Sequence, residues 1–285
     1  LVLEAVGEAG DIVTSHNYLA EWIGATQGPA QAVVLYEAGL ALAERRGVVS
    51  QGHWTKGSAV GPLFEMGDWD RAVAWCDDLL AVDEEWLDGS LLSFARTTRS
   101  RISLLRGRRA ESHDPAALVE LARKLEELPA LAPALVVAAE LAVADGSMAG
   151  AAGYLLEFEE ATADVAAQYR EAHLAAVARV AVAVGEAEMA RIERMLAASQ
   201  GLVLRDRLNV ASVRAIVAEH RGDLAAAAEL YRAAAEGWRS FGNPLEEAEA
   251  LLGLARCAGD DSAADAKLAR ERAAKIMSGL GINAP

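Results

Sequence analysis

The sequence is poor in the residues that build disulfides, metal sites and nucleic-acid surfaces. Its 285 residues include two cysteines, Cys76 and Cys257, which lie far apart and form no CxxC motif. Neither a zinc site nor a disulfide framework is indicated, and a reducing cytoplasm fits best. The 27 basic residues are outnumbered by 42 acidic ones, and the formal charge is −15. This charge disfavours direct binding to nucleic acid or to an anionic membrane.

Motifs for catalysis and membrane insertion are also missing. The five histidines include no pair at the i, i+3 or i+4 spacing of a helical metal site. The segment 52–58 contains the residue types of a phosphate-binding loop. Lys56 precedes Gly57, however, which is the wrong order for a P-loop. No apolar run reaches the roughly 20 residues that a membrane-spanning helix needs. The sequence therefore predicts a protein without catalytic residues, metal, cofactor or membrane association.

Glycines that could end a helix recur along the whole chain at a nearly constant interval. They are separated by 39, 40, 39, 39, 37 and 37 residues. No segment between them alternates as a strand would, so the period indicates repeated helix-turn-helix units. The predicted fold is an all-α, right-handed α-solenoid of about seven antiparallel helix pairs. The glycines at the predicted joints are Gly28, Gly67, Gly107, Gly146, Gly185, Gly222 and Gly259.

Apolar periodicity and capping residues set the expected helix boundaries. The chain opens at Leu1 in a helix-like pattern, so we expect residues 1–285 to form a single solenoid domain from the C-terminal part of a larger multidomain chain. The predicted pairs are 12–26 with 30–46, 51–66 with 68–82, 91–106 with 116–127, 133–144 with 148–161, 165–184 with 187–199, 204–221 with 224–239, and 245–257 with 267–280.

Two of the joints resemble the Gly-Asp-Tyr-x-x-Ala joint of tetratricopeptide repeats. They are Gly67-Asp68-Trp69-Asp70-Arg71-Ala72 and Gly222-Asp223-Leu224-Ala225-Ala226-Ala227. Packing residues of the second helix follow at matching positions, as Cys76 and Leu79 in one unit and Tyr231 and Ala234 in the other. The interval exceeds the 34 residues typical of the family. The chain is therefore similar to tetratricopeptide-like repeats of a longer kind.

The residue pattern near the C-terminus, from Gly222 through Trp238 and Pro244 to Cys257, resembles a second group of proteins. It is similar to the repeat arms of bacterial signalling proteins that carry a nucleotide-cyclase or ATPase module, and of maltose-activator-type transcription regulators. The resemblance implies a regulatory arm whose enzymatic or DNA-binding domains lie elsewhere in a longer protein.

Two functional hypotheses follow from these observations. In the first, the chain is a non-catalytic module that binds a protein, a peptide or a small-molecule effector on a concave surface and so regulates upstream signalling or transcription domains. In the alternative, it is an all-α metal-dependent enzyme with a cavity lined by acids such as Asp260 and Asp265. The regular period and the absence of catalytic motifs favour the first.

The tetratricopeptide pattern also predicts which residues face the concave surface. Inward positions lie thirteen, ten, nine and six residues before each joint glycine, and a register slip in the third unit would turn Arg96 inward in place of Arg101. Aromatic residues beside an arginine suit a carboxylate-bearing or aromatic ligand. We expect binding to concentrate on the first three units and to be lost when Trp54 and Arg101 are both changed to alanine. The predicted binding residues are Tyr18, Trp22, Trp54, Ser58, Phe94, Thr97, Arg101, Arg179, Asn209 and Ser212.

Overall fold

A computed structural model describes residues 8–83, 87–163, 167–258 and 263–282. Within these ranges the secondary structure is helical and contains no strand, which confirms the all-α prediction. None of the described helices is both long enough and apolar enough to cross a bilayer. The α-helices are α1 Ala9–Gln27, α2 Pro29–Arg46, α3 Val49–Glu65, α4 Trp69–Leu80, α5 Gly89–Leu105, α6 Pro115–Leu125, α7 Leu128–Ala144, α8 Met148–Thr162, α9 Gln168–Glu171, α10 Leu174–Val184, α11 Glu186–Ala197, α12 Leu204–His220, α13 Leu224–Phe241, α14 Pro244–Cys257 and α15 Ala263–Gly279.

Six of the predicted joint glycines follow the end of a helix in the structure and have a positive φ, and Gly259 lies outside the described residues. Gly222 shows why glycine is needed, because its φ of 79° lies in the left-handed region that side chains with a Cβ disfavour. The next residue, Asp223, begins the following helix by accepting a hydrogen bond from the Ala226 N–H at 3.2 Å.

Two helices differ from the sequence prediction by more than the shifts of up to four residues seen at other boundaries. The expected helix over 165–184 is divided into α9 and α10 by a turn at Ala172 and His173. Side chains of α9 are held by groups outside the helix, since Glu171 accepts from the backbone N–H groups of Gln200 and Gly201. Helix α7 begins at Leu128, five residues before the predicted start at residue 133, with Pro129 in its first turn and Pro133 inside the helix.

The first helix of each unit contacts the first helix of the next, so that α1, α3, α5, α7, α10, α12 and α14 form a continuous row. Buried alanines are frequent where these helices pack, which allows close approach of their backbones. The turn aromatic Trp69 is buried, stacks on Phe64 with 5.4 Å between ring centroids and donates a hydrogen bond to the Phe64 carbonyl at 2.9 Å.

The row of first helices curves until its two ends meet. Helix α12 contacts α1, and Leu280, just after α15, is buried in one hydrophobic cluster with Leu63 and Trp69 of the second unit. The Arg106 Nε donates to the Leu280 carbonyl at 3.0 Å. These contacts join segments up to 174 residues apart in sequence, and they turn the expected concave surface into a partly enclosed cavity.

Candidate functional site

The interior of the helical row contains one cavity with two connected chambers. The chamber that Trp238 and Glu246 line, called here the inner chamber, has a volume of about 420 Å³. The chamber that Ser58 and Phe94 line, called the outer chamber, has about 750 Å³. Both volumes are typical of small-molecule sites.

Tyr18 and Trp22 of α1 line the cavity and have exposed fractions of 71% and 62%. Trp54 of α3, which is 37% exposed, lines the outer chamber. Three aromatic side chains that line the cavity are therefore also exposed to solvent.

Most of the residues predicted to face inward line this cavity. Counting back from the joint glycines thus identified side chains of the cavity wall on four of the first helices. The lining residues among those predicted are Tyr18, Trp22, Trp54, Ser58, Phe94, Thr97, Arg101 and Asn209.

The remaining two predicted residues, Arg179 and Ser212, lie behind the wall. Arg179 donates two hydrogen bonds to Glu246, at 2.8 and 2.6 Å, and Glu246 itself lines the inner chamber. Burial opposes ionisation of Glu246, but the Arg179 guanidinium holds the pKa of this carboxyl below its ordinary value. Ser212 accepts a hydrogen bond from the Trp238 Nε1 at 2.8 Å. Both residues position groups of the wall and do not line the cavity themselves.

Arg101 lines the cavity, as the unslipped register predicts, and Arg96 does not. The Arg101 guanidinium is already bound, however, because its Nε and Nη2 donate to the two Glu140 oxygens at 2.9 and 2.7 Å. Its centre also lies 5.0 Å from the centroid of the Phe64 ring. This bidentate pair leaves Arg101 less able to receive a ligand carboxylate than the sequence suggested.

The second arginine of the cavity, Arg205 of α12, was not predicted. It lines both chambers and makes a single contact with Glu65 of α3, in which the Nη1 and Oε1 atoms are 3.4 Å apart. Glu65 is 2 residues before its joint glycine and Arg205 is 17 before its own. The predicted inward positions therefore include neither residue. No local sequence pattern links two residues that are 140 positions apart.

Tyr169 and His173, which flank the break between α9 and α10, also line both chambers. His173 lies in the turn between these two helices. Its removal from bulk water, together with the positive charges of Arg101 and Arg205, lowers its pKa to about 3. The imidazole is thus neutral at physiological pH, with one nitrogen able to donate and the other to accept.

Two prolines of the wall interrupt the backbone hydrogen-bond ladder beside the cavity. Pro62 in α3 has no N–H to donate to the carbonyl of Ser58, and Pro133 in α7 has none for that of Pro129. All four of these residues line the outer chamber. The wall therefore combines aromatic surface with backbone acceptors that lack their usual helical donor.

The residues named for the enzyme alternative are only partly described. Asp260 lies outside the described residues, whereas Asp265 is exposed in the first turn of α15 and does not line the cavity. In the part of the chain that the structure describes, no group of three potential ligands is placed to hold a metal ion. Cys76 and Cys257 are both buried and unpaired, and burial raises the pKa of the Cys76 thiol to about 12.

Comparison of the chain with protein-family models gives no match, and comparison with curated proteins gives none either.

Proposed function

We propose that this chain is a non-catalytic sensing module that binds a small-molecule effector in its central cavity. The observation that carries the proposal is the cavity itself, whose wall is formed by residues from both ends of the helical row. In this proposal the helices are tetratricopeptide-like repeats, stacked as about seven pairs in a right-handed superhelix. Aromatic surface with a few convergent polar groups is the typical lining of a small-molecule site.

A ligand in this cavity would contact α1, α3 and α5 on one side and α10 and α12 on the other. Binding would thus add to the contacts that already close the row, and it would favour the closed arrangement over a more open one. We propose that domains elsewhere in a longer protein, of the signalling or transcription type implied by the resemblance, respond to this closure. The two buried, unpaired cysteines are in keeping with a cytoplasmic location for such a module.

The proposal can be tested by filling the cavity at Gly61. This glycine lies within α3, lines both chambers and has no atom within 4 Å of the position that a Cβ would occupy. A Gly61→Trp variant should fold, since replacing a glycine inside a helix generally stabilises it by a few tenths to about 1 kcal/mol. The new side chain should nevertheless occupy the space that a ligand would need.

Gly153→Trp provides a matched control, because Gly153 is an exposed residue of α8 with equally open surroundings. A library of metabolites is screened by thermal shift and by quenching of tryptophan fluorescence. We expect at least one compound to bind both the wild type and Gly153→Trp, and to lose its binding to Gly61→Trp. A ligand that binds all three proteins equally would contradict the cavity assignment, and the absence of any ligand would contradict the proposed function.

A further inference from the structure

The ion pair between Arg205 and Glu65 differs from the other ion pairs around the cavity. Arg101 with Glu140, and Arg179 with Glu246, each form two hydrogen bonds of 2.6–2.9 Å. Arg205 reaches Glu65 by one contact of 3.4 Å, and its buried Nε has no hydrogen-bond partner among the described residues. This is a poorly satisfied pair at the place where the two chambers meet.

Groups that could serve a bound molecule surround this pair. Thr97, which is 4% exposed and lines both chambers, has a hydroxyl without a hydrogen-bond partner in the described part of the chain. Glu21, which lines both chambers, makes no ion pair within the described residues. Burial raises the pKa of the Tyr36 hydroxyl and of the Glu65 carboxyl, and the charges of Glu21 and Glu65 raise that of Tyr36 further. A positive charge beside Glu65 would therefore offset the effect of burial on its carboxylate.

A ligand with one charge would suit this arrangement poorly. An anion bound to Arg205 would leave the Glu65 carboxylate unpaired in a buried site, and a cation bound to Glu65 would do the same to Arg205. Leaving a buried charge without its partner is strongly unfavourable. A molecule with both charges can give Arg205 and Glu65 each a better-placed partner than they give each other. Its two charged groups must be close together, because the two side chains are adjacent.

We propose that the cavity binds an α-amino acid with an aromatic side chain, a ligand class that rests on the proposed small-molecule function. Its carboxylate accepts hydrogen bonds from the Arg205 guanidinium and the Thr97 hydroxyl. Its ammonium group binds Glu65, with Glu21 adding negative potential. The aromatic side chain extends into the outer chamber, where Trp54 and Phe94 form part of the wall. Both charges of the ligand are then paired, and so are both charges of the protein.

The first test compares three probes that share one aromatic body and differ in charge. L-phenylalanine carries both groups, 3-phenylpropionate has the carboxylate alone, and 2-phenylethylamine has the ammonium alone. L-tyrosine and L-tryptophan are measured alongside, all by isothermal titration calorimetry with the wild-type protein. We expect the best amino acid to bind at least about tenfold more tightly than either single-charge probe, since hydrogen bonds to charged groups are the stronger ones. Affinities within threefold of one another, or no binding of the amino acids, would overturn the proposal.

The second test assigns each charge to its residue. Glu65→Gln should weaken amino-acid binding at least tenfold and leave 3-phenylpropionate unchanged or bound more tightly, whereas Arg205→Gln should weaken 3-phenylpropionate and spare 2-phenylethylamine. Glu157→Gln removes a negative charge from an ion pair on the outer surface, with Arg123, and controls for the change in net charge. A Glu65→Gln variant that weakens 3-phenylpropionate as much as the amino acid would refute the assignment.

The two proposals fail in different ways. If another class of compound binds and is blocked in Gly61→Trp, while the aromatic amino acids do not bind, then the amino-acid specificity is wrong and the proposed function stands. If no compound of any class is blocked by Gly61→Trp, both are wrong.

Discussion

Asp206 is expected to make the stability of this protein fall as the pH rises. Its side chain lies in the first turn of α12, is completely buried, and has no hydrogen bond of normal geometry to either oxygen among the described residues. Burial raises its pKa to about 6, although Arg205, the Val203 N–H and Arg207 lower it, and the nearby Glu171 raises it further. Asp206→Asn replaces the carboxyl with a neutral group of nearly the same shape.

The magnitude follows from the difference between the folded and unfolded pKa. The ordinary pKa of aspartate is 3.8, so the pKa of Asp206 is higher by about 2 in the folded state, which binds the proton more tightly. At about 1.4 kcal/mol per unit, ionisation of Asp206 costs the folded state about 3 kcal/mol. The wild type should keep this stability below pH 4 and lose it as the pH rises to 6 and beyond. Asp206→Asn should not show this loss.

The assay is thermal and urea unfolding of the wild type and the variant between pH 4 and pH 8, followed by circular dichroism. We expect the variant to be more stable by about 3 kcal/mol at pH 8, or roughly 6–12 °C in Tm for a chain of this size, and to match the wild type at pH 4. Asp11→Asn removes the same charge from the exposed first turn of α1 and serves as control. A variant whose stability follows that of the wild type at every pH, or that is less stable at pH 8, would refute the reasoning.

Two other substitutions test the closure of the helical row and the pair at its wall. Leu280→Ala should destabilise the protein by about 2–5 kcal/mol, because it leaves a cavity between α15 and the second unit, whereas Leu268→Ala, at an exposed position of α15, should change the urea midpoint little. Arg101→Ala should cost about 3–5 kcal/mol by leaving Glu140 unpaired at a largely buried site. Arg123→Ala, which breaks a surface pair of the same bidentate form, should cost no more than about 1 kcal/mol in the same unfolding measurement.

The features that depend on neighbouring residues could be predicted from the sequence. Helix formation follows from apolar spacing and caps, and the joints follow from glycines such as Gly67 and Gly222, whose positive φ is a property of one residue. Counting back from the joint glycines selected Trp54 and Arg101, and both line the cavity. It could not show that Arg101 is already bound to Glu140.

Tertiary structure decided whether the concave surface remains an open groove. Contacts between helices far apart in sequence bring Leu280 against Leu63 and Trp69, and Arg205 against Glu65. Each of these pairs joins residues from different ends of the chain, so no local pattern predicts it. The composition and the period of the sequence determined an all-helical protein. The contacts between distant helices of the described chain determined that its interior is a cavity, and which charged groups meet there.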